Sequence, residues 1–200
     1  MIKNIIFDFG DIFVNLDKQA IFRFLKNNGI NEFRPKYSAL NNDLEVGKIT
    51  PDEFLDRLGA EFPQFSTIEI ADIWNSMLLD FPEYRLNFIE ELASENKYRL
   101  FLLSNTNALH IPHVGEIMGL DRYAKFKNCF EQFYLSHEIG LRKPDREIYQ
   151  FVLDENNLQA EETFFIDDTF ENTEAAATLG IQIWNLQVGQ EDIVQLKERL

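Results

Sequence analysis

The chain is poor in cysteine, histidine and positive charge. Its one cysteine, Cys129, excludes an internal disulfide and with it a disulfide-stapled scaffold. His110 and His113 stand three apart on an expected helix with no third ligand nearby in the sequence, so both are read as surface residues rather than a metal pair. Nineteen basic residues face 34 acidic ones, and the formal charge of -15 disfavours nucleic acid and anionic membranes as partners. The excess acid reads as a solubilising surface. A span of about 20 apolar residues is missing, as are a charged-then-apolar leader, an internal repeat and a low-complexity tract. A cytoplasmic protein is therefore expected, with its oligomeric state left open.

What is present is core material. Hydrophobic residues make up 45% of the 200 and aromatic residues 14%, enough for one sizeable domain with or without a smaller insertion. The 19 phenylalanines are expected mainly in the core. Residues 3–10 read Lys-Asn-Ile-Ile-Phe-Asp-Phe-Gly, a near-continuous apolar run of the kind a strand shows when both faces of a parallel sheet are covered. That run delivers a single carboxylate, Asp8, where it stops. In open α/β sheets the carboxyl edge is where ligands bind, so Asp8 is a candidate from position alone.

From residue 17 to about 80 the pattern is that of short amphipathic helices. Asp17 reads as a helix N-cap ahead of Ile21, Phe22, Phe24 and Leu25, with Gly29 as the left-handed stop. Thr50 with Glu53 and Ser66 with Glu69 have capping-box spacing. Trp74, Met77 and Leu78 are read as packing within this helical stretch rather than as a substrate floor. Beyond Pro82 helices alternate with strands: a helix over 82–96, then strands over 98–104, 132–135, 163–166 and 181–186, with helices over 145–156 and 172–179. Alternation at this spacing predicts a doubly wound, Rossmann-like α/β fold on a parallel sheet, with an all-helical insertion after the first strand. The α/β core then comprises 1–16 and 81–200, and the helical insertion 17–80.

Ser104, Lys143 and the pair Asp167-Asp168 fall at or just after predicted strand ends, on the same edge as Asp8. Carboxylates gathered there repel one another and need a cation, and an oxygen-only set suits Mg²⁺ better than zinc. A lysine and a hydroxyl beside them suit a phosphoryl group. Taken singly, Ser104 also reads as a turn former, Lys143 as a surface lysine, and the acid pair as caps for the following helix.

Together these segments resemble the haloacid dehalogenase superfamily of phosphohydrolases, and most of the chain takes part. Phe7-Asp8-Phe9-Gly10-Asp11 is similar to its first motif, Leu103-Ser104-Asn105 to its second, Arg142-Lys143-Pro144 to its third, and Phe165-Ile166-Asp167-Asp168 with Asn172 to its fourth. The run from Tyr134 to Pro144 is similar to a bacterial branch that includes sugar-phosphate phosphatases. The resemblance implies a catalytic set of Asp8 as nucleophile with Ser104 and Lys143 holding phosphoryl oxygens, and substrate contacts from Ser104, Asn105 and Lys143. It implies Mg²⁺ as cofactor, bound by Asp8, the Gly10 carbonyl and Asp168, with Asp167 acting through water and Asn172 in support. The implied substrate is a small phosphorylated metabolite such as a sugar phosphate.

The chain departs from the pattern at one place. Many phosphatases of the family carry a general acid two residues after the nucleophile, whereas Gly10 stands there and Asp11 comes one place later. Asp11 is read as a turn residue satisfying local backbone N–H groups. His137, ahead of Lys143, is a weaker candidate for a phosphate or leaving-group contact. Three other readings compete with a phosphatase: a metal-independent dehalogenase, a phospho-accepting signalling domain and a catalytically silent binding protein. The acid pair argues against the first, and motif order argues against the second.

Overall fold

The computed structural model describes residues 1–30 and 35–200. Five strands form one parallel sheet in the order β3-β2-β1-β4-β5: β1 Asn4–Phe7, β2 Arg99–Ser104, β3 Gln132–Leu135, β4 Thr163–Asp167 and β5 Gln182–Asn185. The apolar run after Lys3 thus lies at the sheet centre. Alternate residues face opposite sides, as a strand's two-residue period requires. Ile5, Phe7, Leu100, Leu102, Phe164 and Ile166 enter one buried cluster. Ile6, Phe101, Leu103 and Phe165 enter the other.

Ten α-helices and two short 3-10 helices, Ala160–Glu162 and Ile193–Glu198, complete the described fold: α1 Ala20–Asn27, α2 Pro35–Glu45, α3 Pro51–Glu61, α4 Thr67–Asn75, α5 Glu83–Ser94, α6 His110–Met118, α7 Leu120–Lys127, α8 Ser136–Ile139, α9 Arg146–Asn156 and α10 Phe170–Ala177. Helices α5, α6 and α7 pack on the first face through residues such as Leu86, Ile89, Val114 and Phe126. Helices α9 and α10 cover the second through Ile148, Tyr149, Val152 and Ala176. Both sheet faces are therefore dry, which is why these strands read as continuous apolar runs. No helix among the described residues is long and apolar enough to cross a membrane.

Helices α1 to α4 lie between β1 and β2 in the chain and build a separate cluster from Tyr37, Leu44, Phe54, Leu55, Leu58, Ile70 and Trp74. The stretch expected to be helical is so, apart from 31–34, which lie outside the described residues. Both capping boxes form: Thr50 Oγ1 accepts from Glu53 N at 3.2 Å, and Ser66 Oγ accepts from Glu69 N at 3.3 Å. Each satisfies N–H groups that a helix start leaves without partners. Gly29 takes a φ of 76° as expected.

Asp17 behaves differently from the expectation. Helix α1 starts at Ala20 with Gln19 as N-cap, and Asp17 accepts from Gln19 N at 3.1 Å while its carboxylate is forked by Arg23. Asp17 Oδ1 is shared between Gln19 N and Arg23, so the carboxylate bonds the chain just ahead of the helix and clamps it to the first turn through the guanidinium.

Candidate active site

The chain runs outward from β1 to β2 and β3, then returns to place β4 on the other side of β1. The carboxyl ends of β1 and β4 flank this topological switch point, where open α/β sheets bind ligands. Asp8 follows β1, Asp167 ends β4, Ser104 ends β2, and Asp168 follows Asp167. The predicted residues do converge there.

At the centre is Lys143, whose side chain is 1% exposed. Its Nζ donates to Asp8 Oδ1 at 2.6 Å, Asp167 Oδ2 at 2.7 Å and the Leu103 carbonyl at 2.8 Å, using all three ammonium hydrogens. The reading of Lys143 as a surface residue is thereby excluded. Asn105 sets the lysine's backbone from both sides, donating to Lys143 O at 2.8 Å and accepting from Lys143 N at 2.8 Å. Its carboxamide is thus committed to holding Lys143, although Asn105 also lines the cavity.

Asp167 is fully buried and tied down on every side. Besides Lys143 it accepts from Thr169 N at 2.8 Å and from Asn172 Nδ2 at 3.1 and 2.9 Å. Helix α10 begins two residues earlier than its apolar spacing predicts, at Phe170, and this carries Asn172 inward to meet Asp167. Thr169 is the N-cap residue of α10 and makes no side-chain cap bond, so the reading of the acid pair as the helix's own cap gives way.

Asp11 sits at a φ of 55°, where its Oδ1 accepts from Leu16 N at 2.9 Å. That is the local turn role expected of it. Its other oxygen lies 2.9 Å from Lys18 Nζ, which also binds Asp168. Gly10 is pressed against Leu16, whose Cδ1 would lie 2.7 Å from an added Cβ. A ring of phenylalanines backs the loop: Phe9 stacks on Phe126 at 5.3 Å, and Phe13 meets Phe126 edge-on at 4.9 Å. The loop carrying the nucleophile candidate is therefore held from behind by the core.

Four carboxylates, Asp8, Asp11, Asp167 and Asp168, share two ammoniums, Lys18 and Lys143. Ligand oxygens of Asp8, Asp167 and Asp168 lie within 4.8 Å of one another. Burial pushes the Asp8 carboxyl up to about 7, against the pull of Lys143 and with the push of Asp167 and Asp168. Asp168 is raised for the same first reason, with Lys18 opposing. Burial works to lower Lys143, but Asp167 and Asp8 more than offset it and hold the ammonium above its usual value. Burial and, after it, neighbouring carboxylates raise both acids, and an oxygen-only acidic set of this kind fits Mg²⁺.

A model of the haloacid dehalogenase-like hydrolases matches residues 2–180. The chain belongs to this family. Within it, a D-ribitol-5-phosphate phosphatase of Bacteroides thetaiotaomicron is 27% identical over 199 residues, covering 96% of this chain and 95% of that protein. A solved HAD family enzyme from the same organism superposes with a TM-score of 0.86 at 34% identity, covering 98% of both chains. Its wild-type complex with magnesium and inorganic phosphate matches with a TM-score of 0.80 at 32% identity, over 96% of this chain and 97% of that one. A HAD-like family hydrolase from Porphyromonas gingivalis gives 0.82 at 28% identity, over 100% of this chain and 98% of that one.

Sequence reading alone missed several residues at this HAD site. Lys18 and Glu45 come from the helical insertion, and their partners lie 150 and 97 residues away in the chain. No local pattern marks such contacts. His110 is 9% exposed, which corrects its assignment to the surface; its Nδ1 meets Asn107 Nδ2 at 3.3 Å and it lines the cavity beneath the insertion. Trp74 does join the insertion's core, but Met77 and Leu78 also line that cavity with it, so the trio is core and wall together. His137 is half-buried, and burial lowers its imidazole; its backbone carbonyl meets the insertion at Gly47.

Proposed function

We propose that this HAD-family chain is a Mg²⁺-dependent phosphatase that hydrolyses a small phosphorylated metabolite of the sugar or polyol phosphate class through an aspartyl-phosphate. The observation that carries this reading is the sharing of the buried Lys143 ammonium between Asp8 at 2.6 Å and Asp167 at 2.7 Å, with Asp168 completing an acidic cluster. In this reading Asp8, Asp168 and the Gly10 carbonyl would hold Mg²⁺, with Asp167 supporting the ion from behind. When bound, the cation neutralises charge on the phosphoryl group and on the carboxylates around it.

The chain's own residues do the rest. Asp8 attacks phosphorus and the ester P–O bond breaks, leaving an acyl phosphate on Asp8 and the alcohol oxygen to take up a proton. Water then adds at phosphorus, inorganic phosphate leaves, and the Asp8 carboxylate is regenerated. Lys143 holds Asp8 in line and balances its charge, while Ser104 at the end of β2 offers a hydroxyl to phosphoryl oxygens. Asn105 keeps Lys143 in place and Asn172 keeps Asp167 in place. Residues 17–80 form the cap over the core of 1–16 and 81–200, and its closure would exclude water from the acyl phosphate. The named activity of the Bacteroides relative supports the substrate class. The retained acid pair speaks against a metal-independent dehalogenase.

The test is phosphate release from a panel of phosphomonoesters with and without Mg²⁺, for the wild type and Asp8→Asn. Release that needs Mg²⁺ and vanishes in the variant supports the reading. Undiminished turnover in a folded Asp8→Asn protein removes Asp8 from the mechanism.

A further inference from the structure

Helix α2 has two faces of opposite character. Tyr37, Leu40 and Leu44 turn into the insertion's own core. Ser38, Asn41, Asn42 and Glu45, spaced i, i+3, i+4 and i+7, fall on one stripe and line a cavity of about 330 Å³ that runs from Gly10, Ser104 and Asn105 to the underside of the insertion. The same cavity is lined by Trp74, Met77 and Leu78. Its lining thus combines hydrogen-bonding groups with carbon.

The stripe is held in place. Glu45 Oε1 accepts from Asn41 at 2.8 Å, while its Oε2 accepts from Arg142 Nη2 at 2.9 Å and Nε at 3.2 Å. Arg142 belongs to the loop that carries Lys143, so the pair ties α2 to the catalytic loop and cancels the charge that would otherwise repel a phosphate. Glu45 also lines the chamber containing Asp8, which puts the end of α2 where the two spaces meet. The Ser38 hydroxyl and Asn42 carboxamide have no hydrogen-bond partner among the described residues and remain available to a ligand.

We propose that this edge of α2, through Ser38, Asn41, Asn42 and Glu45, reads the hydroxyl groups of a polyhydroxylated carbon chain whose phosphate lies at Asp8. The proposal rests on the phosphatase reading above. Hydroxyls along one side of such a chain meet the stripe, and its C–H side lies against Trp74, Met77 and Leu78. An alkyl phosphate of the same length leaves the stripe without partners, and a site built to hydrogen-bond hydroxyls discriminates against an analogue that lacks them.

The experiment compares kcat/KM for a five-carbon alditol 5-phosphate and for n-pentyl phosphate, with Mg²⁺, in the wild type, Ser38→Ala and Asn42→Leu. Both esters leave as primary alkoxides, but the neighbouring hydroxyl makes the alditol the better leaving group, so the test reads the change of the ratio between wild type and variant, in which the leaving groups are the same. Wild-type preference for the alditol ester is expected, and each variant should cut the ratio by about tenfold, mainly through KM, as expected for one lost hydrogen bond. A wild type that cleaves both esters with a ratio near one, or folded variants that keep the wild-type ratio, overturns the α2 assignment and leaves the phosphatase reading standing. Failure of the wild type to release phosphate from either ester or from p-nitrophenyl phosphate overturns both.

Discussion

The Lys143 ammonium lies 2.6 Å from the Asp8 carboxylate, and the pair is sealed from solvent on the lysine side. Removing one partner of a buried pair typically costs about 3–5 kcal/mol because the other charge is left uncompensated. Lys143→Met is therefore expected to lower the melting temperature strongly without Mg²⁺, since Asp8 and Asp167 both lose their counter-charge. Saturating Mg²⁺ should narrow that deficit, while activity stays at least about 100-fold down. Thermal unfolding with and without the cation checks this, and a deficit that Mg²⁺ leaves unchanged would refute the shared-charge account.

Asp11 has its carboxylate committed to Leu16 N and Lys18, and no side chain stands at Gly10 to serve as general acid. General acid catalysis typically contributes about 10²- to 10⁴-fold, so a site without it should depend steeply on leaving-group basicity. Aryl phosphates and anomeric sugar 1-phosphates are expected to turn over faster than primary alkyl phosphates, and Asp11→Asn should change rates little. Asparagine also tolerates the positive φ found here. A flat leaving-group profile together with a large loss in Asp11→Asn would identify Asp11 as the displaced acid.

The turn after α2 meets α8 through Gly47, where an added Cβ would stand 2.2 Å from the His137 carbonyl oxygen at a φ of 65°. Gly47→Ala should weaken that contact between insertion and core. Gly29→Ala is the control, because its φ of 76° carries a similar backbone cost of about 1–2 kcal/mol with no neighbour within 4 Å among the described residues. Urea unfolding of the two variants should show Gly47→Ala as clearly the less stable. Equal losses would mean that the insertion gives way without cost.

Burial pushes the His110 imidazole down to about 4, with the Trp74 backbone opposing and His113 reinforcing. The folded value lies below the unfolded one, near 6.5, so the unfolded chain binds the extra proton first as pH falls. The stability tied to neutral His110 is complete above about pH 6.5 and is lost as pH drops from there towards 4. Between pH 7.5 and pH 5 the loss amounts to about 2 kcal/mol. His110→Gln should lack this component, so its unfolding free energy should fall less over that interval. Parallel pH profiles for the two proteins would place the imidazole in water.

Much of this molecule was decided within short stretches of chain. The runs 3–10, 98–104 and 163–166 were apolar enough to specify doubly covered strands, and Thr50-Glu53 and Ser66-Glu69 specified helix starts through bonds three residues long. Because side chains at the ends of parallel strands share one edge, Asp8, Ser104 and Asp167 were legible as a site before any contact was known. The tertiary structure alone decided how that site is charged and walled. Lys143 serves Asp8, Asp167 and the Leu103 carbonyl at once, and Lys18 links the start of the insertion to Asp168, across separations of 135, 24, 40 and 150 residues. His110 is buried because the insertion folds over it, and Glu45 faces the loop that carries Lys143 because Arg142 meets it there. Periodicity assigns a residue to a face of its own element, but what that face meets depends on how the elements pack, and the energies of buried charge follow from that packing.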